Sequence, residues 1–158
     1  MLVNLRHLSD QNLVLKGELP AGELDVDTRD EVIHVEQPLH YELEAQKLDQ
    51  SLLLRGRLSL RLNCQCVRCL KPFAQGLEIA PWTCHVSLTG EERAPVVNDC
   101  VDLTPHIRED ILLEFPQHPL CNPECPGLKK TDAGEQKRHP GQTSSESSAW
   151  AELDKLKL

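Results

Sequence analysis

Cys66-Val67-Arg68-Cys69 and Cys121-Asn122-Pro123-Glu124-Cys125 place two pairs of thiols in distant parts of the chain. A C-x-x-C spacing lets two thiolates face one tetrahedral ion, and a looser C-x-x-x-C can supply two more. Four such sulfurs suit zinc or an iron–sulfur cluster rather than Mg²⁺ or Ca²⁺, and they leave no coordination position open for water. The expected site is therefore structural zinc held by Cys66, Cys69, Cys121 and Cys125. The other reading of these residues is four reduced cysteines packed as small hydrophobes. Cys64 is a third sulfur beside the first pair and can stand in for Cys66, while Cys84 and Cys100 have no partner spacing.

Two basic sets accompany the thiols. Arg68 lies inside the first pair and Lys71 just after it, where a metal-tied turn would present them rigidly to RNA or a protein partner; Arg68 can equally offset the negative charge of four thiolates. Arg55, Arg57 and Arg61 share one face of a predicted strand and can grip successive phosphate oxygens. Glu42 and Glu44 on the adjacent predicted strand offer the same arginines cross-strand partners, each worth only about 0.2–1 kcal/mol.

Catalysis is not expected. His85 follows Cys84 directly, so on a strand the two side chains point to opposite faces and share no ion. His106 and His118 have no acid–base partner at a recognisable spacing. A redox C-x-x-C opens a helix in a βαβ unit, whereas here a long strand precedes the motif and Pro72 and Gly76 follow. Phosphate-loop, nucleophile-elbow and zinc-protease signatures do not occur in the sequence. A thiol redox or zinc-handling protein is the alternative function that the C-x-x-C keeps open.

Composition narrows the partners. With 25 Asp and Glu against 17 Lys and Arg, the net charge of −8 opposes nonspecific attraction to nucleic acid, although local patches still act within a Debye length. Phe73, Phe115, Trp82, Trp150 and Tyr41 are the only aromatics, too few to stack single-stranded bases, so leucine and valine must fill the core. Seven cysteines and the absence of a basic-then-apolar leader imply a cytoplasmic protein with reduced or metal-bound thiols. Leu52-Leu53-Leu54 is too short to cross a membrane.

The elements that must position these residues read as α+β: mainly an antiparallel sheet or small barrel, one C-terminal amphipathic helix, and a disordered polar tail. Strands are expected over Leu2–Leu5, Leu13–Leu19, Glu31–Glu36, Leu39–Lys47, Leu52–Asn63 and Leu77–Leu88. In the fifth, Leu52, Leu54, Leu58, Leu60 and Leu62 share one face. Leu48-Asp49-Gln50-Ser51 suits a hairpin turn, and Cys64–Pro72 a knuckle between long strands. Thr104 is the expected N-cap of the helix and Pro105 its first residue. Asp102 complements the helix dipole, Ile107, Ile111, Leu112 and Phe115 form the apolar stripe, and Pro116 is the stop. Residues 1–128 are thus one expected β-rich domain. Residues 129–158 form a polar tail whose Trp150, Leu153 and Leu156 could make a short terminal helical segment.

Cys66-Val67-Arg68-Cys69-Leu70 after a long strand, Asp102-Leu103-Thr104-Pro105 leading into Ile107–Leu113, Pro116–Cys121, and Cys125-Pro126-Gly127-Leu128 together resemble the bacterial and plastid YceD family. The resemblance runs from about Leu13 to Leu128, and the order and spacing of the segments carry it. Many family members continue after the Gly-Leu with a further cysteine pair, where this chain has Lys129-Lys130-Thr131-Asp132. The resemblance implies a role in accumulation of large-subunit 23S rRNA, with a large-subunit precursor, 23S rRNA or a basic ribosomal protein as partner.

Overall fold

The computed structural model describes residues 1–8, 12–26 and 31–128. Its centre is three consecutive antiparallel strands: β4 (Leu39–Leu48), β5 (Ser51–Gln65) and β6 (Pro72–Ser87). Leu48 pairs with Ser51, so Asp49 and Gln50 form the turn between β4 and β5. On β5 the row Leu52, Leu54, Leu58, Leu60, Leu62 and Cys64 is buried, while Arg55, Arg57 and Arg61 face outward. Each buried leucine contributes roughly 1.5–3 kcal/mol relative to leaving it exposed.

Gly56 interrupts the leucine row. A Cβ at this position would lie 2.1 Å from the backbone oxygen of Glu42 and 2.8 Å from the Leu43 Cα, so β4 can run this close only against glycine. Opposite it, the β5–β6 register shifts: Gly56 pairs with Trp82 but Leu58 with Ile79, so Arg57 faces both Ala80 and Pro81. This bulge on β6 moves the inward side chains from odd positions (Phe73, Leu77, Ile79) to even ones (Trp82, Cys84, Val86).

β2 (Leu13–Leu19) pairs with the outer edge of β4. β3 (Ile33–His34) pairs with Cys64 and Asn63. Because β6 occupies the other edge of β5 along its length, β3 continues the β4 side beyond the end of β4. The result is a curved, open half-barrel whose two longest strands project the segment between Gln65 and Pro72 past their neighbours. A second sheet, in the order β1 (Leu2–Asn4), β8 (Cys100–Asp102), β7 (Val96–Val97), joins the same hydrophobic cluster through Val3 and Val101. A single 3-10 turn, Leu5–His7, follows β1, and the one-turn helix α1 (Ala21–Leu24) follows β2.

The helix α2 (Thr104–Leu113) buries Ile107 and Ile111 completely and half-buries Leu112. Its start differs from the expectation. Thr104 is already helical, and Asp102 caps the end, its carboxylate accepting the Thr104 N–H at 2.9 Å and hydroxyl at 2.6 Å. A carboxylate two residues upstream satisfies a donor that the Thr104 side chain cannot reach from inside the first turn. The helix also stops before Pro116, because the Glu114 N–H turns to the Ile111 and Leu112 carbonyls. Trp82 Nε1–H donates to Asp110 Oδ2 at 2.7 Å and fixes α2 to β6.

The observed class matches the expected one: antiparallel sheet with one C-terminal amphipathic helix, plus the unforeseen α1. The expected strand Glu31–Glu36 contracts to Ile33–His34, β6 begins at Pro72 rather than Leu77, and β7 and β8 were not foreseen. The expected disordered tail, 129–158, lies outside the described residues. No helix among the described residues is long and apolar enough to cross a membrane.

Candidate metal centre

Beyond the last leucine of β5, the chain turns on hydrogen bonds of its own backbone. Gln65 N–H donates to Val32 O at 2.8 Å, Cys66 N–H to Lys71 O at 2.9 Å, and Leu70 N–H to Cys66 O at 2.8 Å. Leu70 takes φ 61°, a left-handed position that glycine would hold without strain. The Gln65 side chain donates to its carbonyl at 3.1 Å. This tight turn points Cys66 and Cys69 to one side.

The second pair arrives from the far end of α2. Val67 N–H donates to Pro119 O at 3.0 Å and aligns the two segments. Asn122 then makes a turn with Pro123: its side-chain oxygen accepts the Glu124 N–H, and its carbonyl accepts the Cys125 N–H, both at 2.9 Å. Arg68 spans the seam, its Nη1 lying 3.4 Å from both the Pro123 and Cys125 carbonyl oxygens.

All four sulfurs of Cys66, Cys69, Cys121 and Cys125 lie within 4.8 Å of one another. The shortest separations cross the segments: Cys66 to Cys125 at 3.8 Å and Cys69 to Cys121 at 3.7 Å. A tetrahedral ion with Zn–S bonds of about 2.3 Å separates its sulfurs by about 3.8 Å. The donor set and its spacing therefore fit one tetrahedral metal ion, and the four cysteines can hold one. Backbone N–H groups, foremost that of Cys121 and then those of Cys69 and Arg68, hold the Cys66 thiol at about 6 against the opposing effect of burial. Cys121 moves the other way, to about 12, because the neighbouring sulfurs of Cys69 and Cys125 hydrogen-bond its neutral form. Within the cluster Cys66 is thus favoured as the thiolate and Cys121 as the thiol. A dication would favour the thiolate at both.

Residues 54–157, which include both cysteine pairs and α2, match the profile of a family described as "Large ribosomal RNA subunit accumulation protein YceD". The chain belongs to the YceD family. The match begins inside β5, later than the resemblance from Leu13, and runs past Leu128 into residues outside those described. Among curated proteins, the chain is 29% identical over 108 residues to the uncharacterized proteins Rv2926c of Mycobacterium tuberculosis and Mb2951c of Mycobacterium bovis, covering 62% of this chain and 52% of each relative. It is 26% identical over 105 residues to ML1660 of Mycobacterium leprae, covering 61% and 48%. The chain thus spans about half the length of these relatives. No solved structure matches it.

The remaining candidates of this family member fall elsewhere. Cys64 is not a ligand candidate: it continues the buried leucine row of β5 into the core, so it cannot stand in for Cys66. Cys84 is half-buried on β6, and desolvation, then the charges of Asp110 and Glu109, raise its thiol to about 11. Lys71 is exposed at the tip, between exposed Leu70 (53%) and the start of β6. Arg55, Arg57 and Arg61 lie on the outer sheet face, away from the sulfurs, with Glu44 opposite Arg55 and Glu42 opposite Arg57. Arg57 pairs with Glu78 at 3.3 Å and Lys16 pairs with Glu42, lowering that carboxyl, while Arg55 and Arg61 form no ion pair among the described residues. A shallow depression of about 850 Å³ lies over Gly56 between Arg55, Arg57, Glu42 and Glu44, so its lining carries both signs. His85 and His118 are exposed, and His106 sits in the first turn of α2. The Asn122 turn and the Pro119 contact escaped the sequence reading, although Asn-Pro is itself a turn signal.

Proposed function

We propose that this chain is a non-catalytic factor that supports accumulation of 23S rRNA and assembly of the large ribosomal subunit in the cytoplasm. In this reading Cys66, Cys69, Cys121 and Cys125 bind zinc, which holds the C-terminal segment against the end of the long hairpin. The observation that carries the reading is the convergence of four sulfurs within 4.8 Å, inside the stretch that matches the ribosomal RNA accumulation family. Four thiolates leave no site for water or substrate on the ion, so the metal's contribution is to fold the tip.

The tip presents Lys71 and the exposed Val67 and Leu70 on a backbone that zinc would make rigid. The acidic body suits a basic ribosomal protein, and the tip then approaches rRNA within that complex. Depletion in the native host, followed by sedimentation of subunits and quantification of 23S rRNA, tests this. The expected result is a selective loss of mature 23S rRNA, restored by the wild-type chain but not by Cys66→Ser with Cys69→Ser. Normal 23S rRNA and normal subunit profiles in the depleted cells would overturn the reading.

A further inference from the structure

The four sulfurs are not equivalent. Cys66 and Cys125 are buried, Cys69 is half-buried, and Cys121 is exposed. The two of the four that are not buried are Cys69 and Cys121, and their sulfurs lie 3.7 Å apart. Within this pair the sulfurs come from different segments: one from the knuckle, the other from the stretch after α2. The Arg68 contacts to the Pro123 and Cys125 carbonyls and the Val67–Pro119 hydrogen bond hold those segments together without help from sulfur.

The geometry points to Cys69 and Cys121 as an oxidative modification site: a small uncharged peroxide joins them by a disulfide across the two segments, replacing the metal staple with a covalent one. The Cys69 thiolate attacks one peroxide oxygen, breaks the O–O bond and releases hydroxide, leaving a sulfenic acid. That hydroxide takes the Cys121 proton as water, and the Cys121 sulfur then attacks the sulfenic sulfur, forms the S–S bond and displaces the second hydroxide. The two sulfurs lose two electrons in all, and the peroxide gains them. Closing from 3.7 Å to the disulfide length of about 2.05 Å requires a movement of under about 2 Å. Two of the four donors are then consumed, and the remaining pair, Cys66 and Cys125, holds a metal ion far more weakly. The segments nevertheless stay joined, which separates this site from a C-x-x-C redox centre, where Cys66 and Cys69 would pair with each other.

This inference rests on the four-sulfur arrangement and not on the ribosomal role. The experiment treats the full chain, both zinc-loaded and as the reduced metal-free protein, with hydrogen peroxide at neutral pH, then maps disulfides by non-reducing peptide mass spectrometry. A chromogenic chelator reports metal release from the zinc-loaded sample. The expected first product is a Cys69–Cys121 cross-link, forming roughly tenfold or more faster than any link between the buried Cys66 and Cys125. In the zinc-loaded protein it appears in step with metal release, and a dithiol reductant reverses it. A Cys66–Cys69 link as first product, or oxidation with no cross-link, overturns the proposal. The wild-type mapping decides the matter even if Cys121→Ser fails to fold. Failure to load zinc would count against the metal reading alone, because the metal-free arm still reports which sulfurs pair.

Discussion

Arg68 looks, from its place in the sequence, like a group offered outward to RNA, yet its guanidinium lies against two carbonyls of the opposing cysteine segment. At 3.4 Å these contacts are long, but they are the only side-chain bridges described between the knuckle and the Asn122 turn apart from the sulfurs themselves. Groups that orient ligands in this way typically alter metal affinity by 10–100-fold when removed. Arg68→Ala is therefore expected to weaken zinc retention about tenfold in chelator competition. Arg68→Lys should recover little, since one ammonium cannot reproduce a planar fork directed at two acceptors. Unchanged retention in both variants would reassign Arg68 to the outer surface. A second prediction concerns Cys84, whose thiol rises from 9.0 to about 11. The folded protein favours the neutral thiol, so this contribution to stability is fully present below pH 9, and is lost as pH rises through about 11. At pH 8–9 iodoacetamide should modify Cys84 much more slowly in the native than in the unfolded protein, and equal rates would disprove its desolvation.

The long hairpin carries the site, so its two irregularities matter most among the elements. Gly56→Ala places a methyl group 2.1 Å from a backbone oxygen of β4, where no flexible side chain can give way. The expected cost is about 1–3 kcal/mol or more, read as a lower unfolding midpoint with an unchanged denaturant slope. Trp82→Phe keeps an aromatic ring in the site but leaves part of the buried indole space empty and removes the donor to Asp110, and a hydrogen bond to a charged group is worth about 1.5–3 kcal/mol. Loss of that bond should raise amide exchange in α2 before it affects β4. Simple alternation made β4 and β5 legible in the sequence, because a leucine row opposite an arginine row admits a single register. The first half of β6 was hidden, since Pro72, Ala74 and Gly76 are poor strand formers held by the partner strand, and the bulge at Ala80-Pro81 changes the inward phase. β7 and β8 were hidden for another reason: strands of two and three residues exist only through pairing, β7 with β8 and β8 in turn with β1 at the start of the chain. The cysteines were legible because metal chemistry constrains residue type and spacing. The Arg68 and Pro119 contacts depend on how two remote segments meet, which local spacing does not encode.

At the scale of the whole molecule, the balance of charge decides what the tip can approach. The chain carries −8, and the outer sheet face interleaves Glu42, Glu44 and Glu78 with its arginines, so no continuous cationic track crosses it. Arg57 and Lys16 are already ion-paired, which leaves Lys71, Arg55 and Arg61 as the candidate cations least offset by neighbours. Three contacts to single-stranded RNA, at about −0.7 per phosphate, give a log–log salt slope near −2. Binding of the isolated protein to naked 23S rRNA is therefore expected to be weak and shallow in its salt dependence. Binding to a precursor that carries its basic proteins should be tighter and should weaken with added salt, because an acidic body is then drawn to cationic protein surface. The two titrations, run on the same protein, separate the routes. A slope near −5 or steeper on naked RNA would require phosphate contacts that the described surface does not offer, and would place RNA binding ahead of protein docking. A shallow slope on RNA with strong binding to the protein-bearing precursor would mean that the protein docks first, and that docking then brings the cysteine-bearing tip to the RNA.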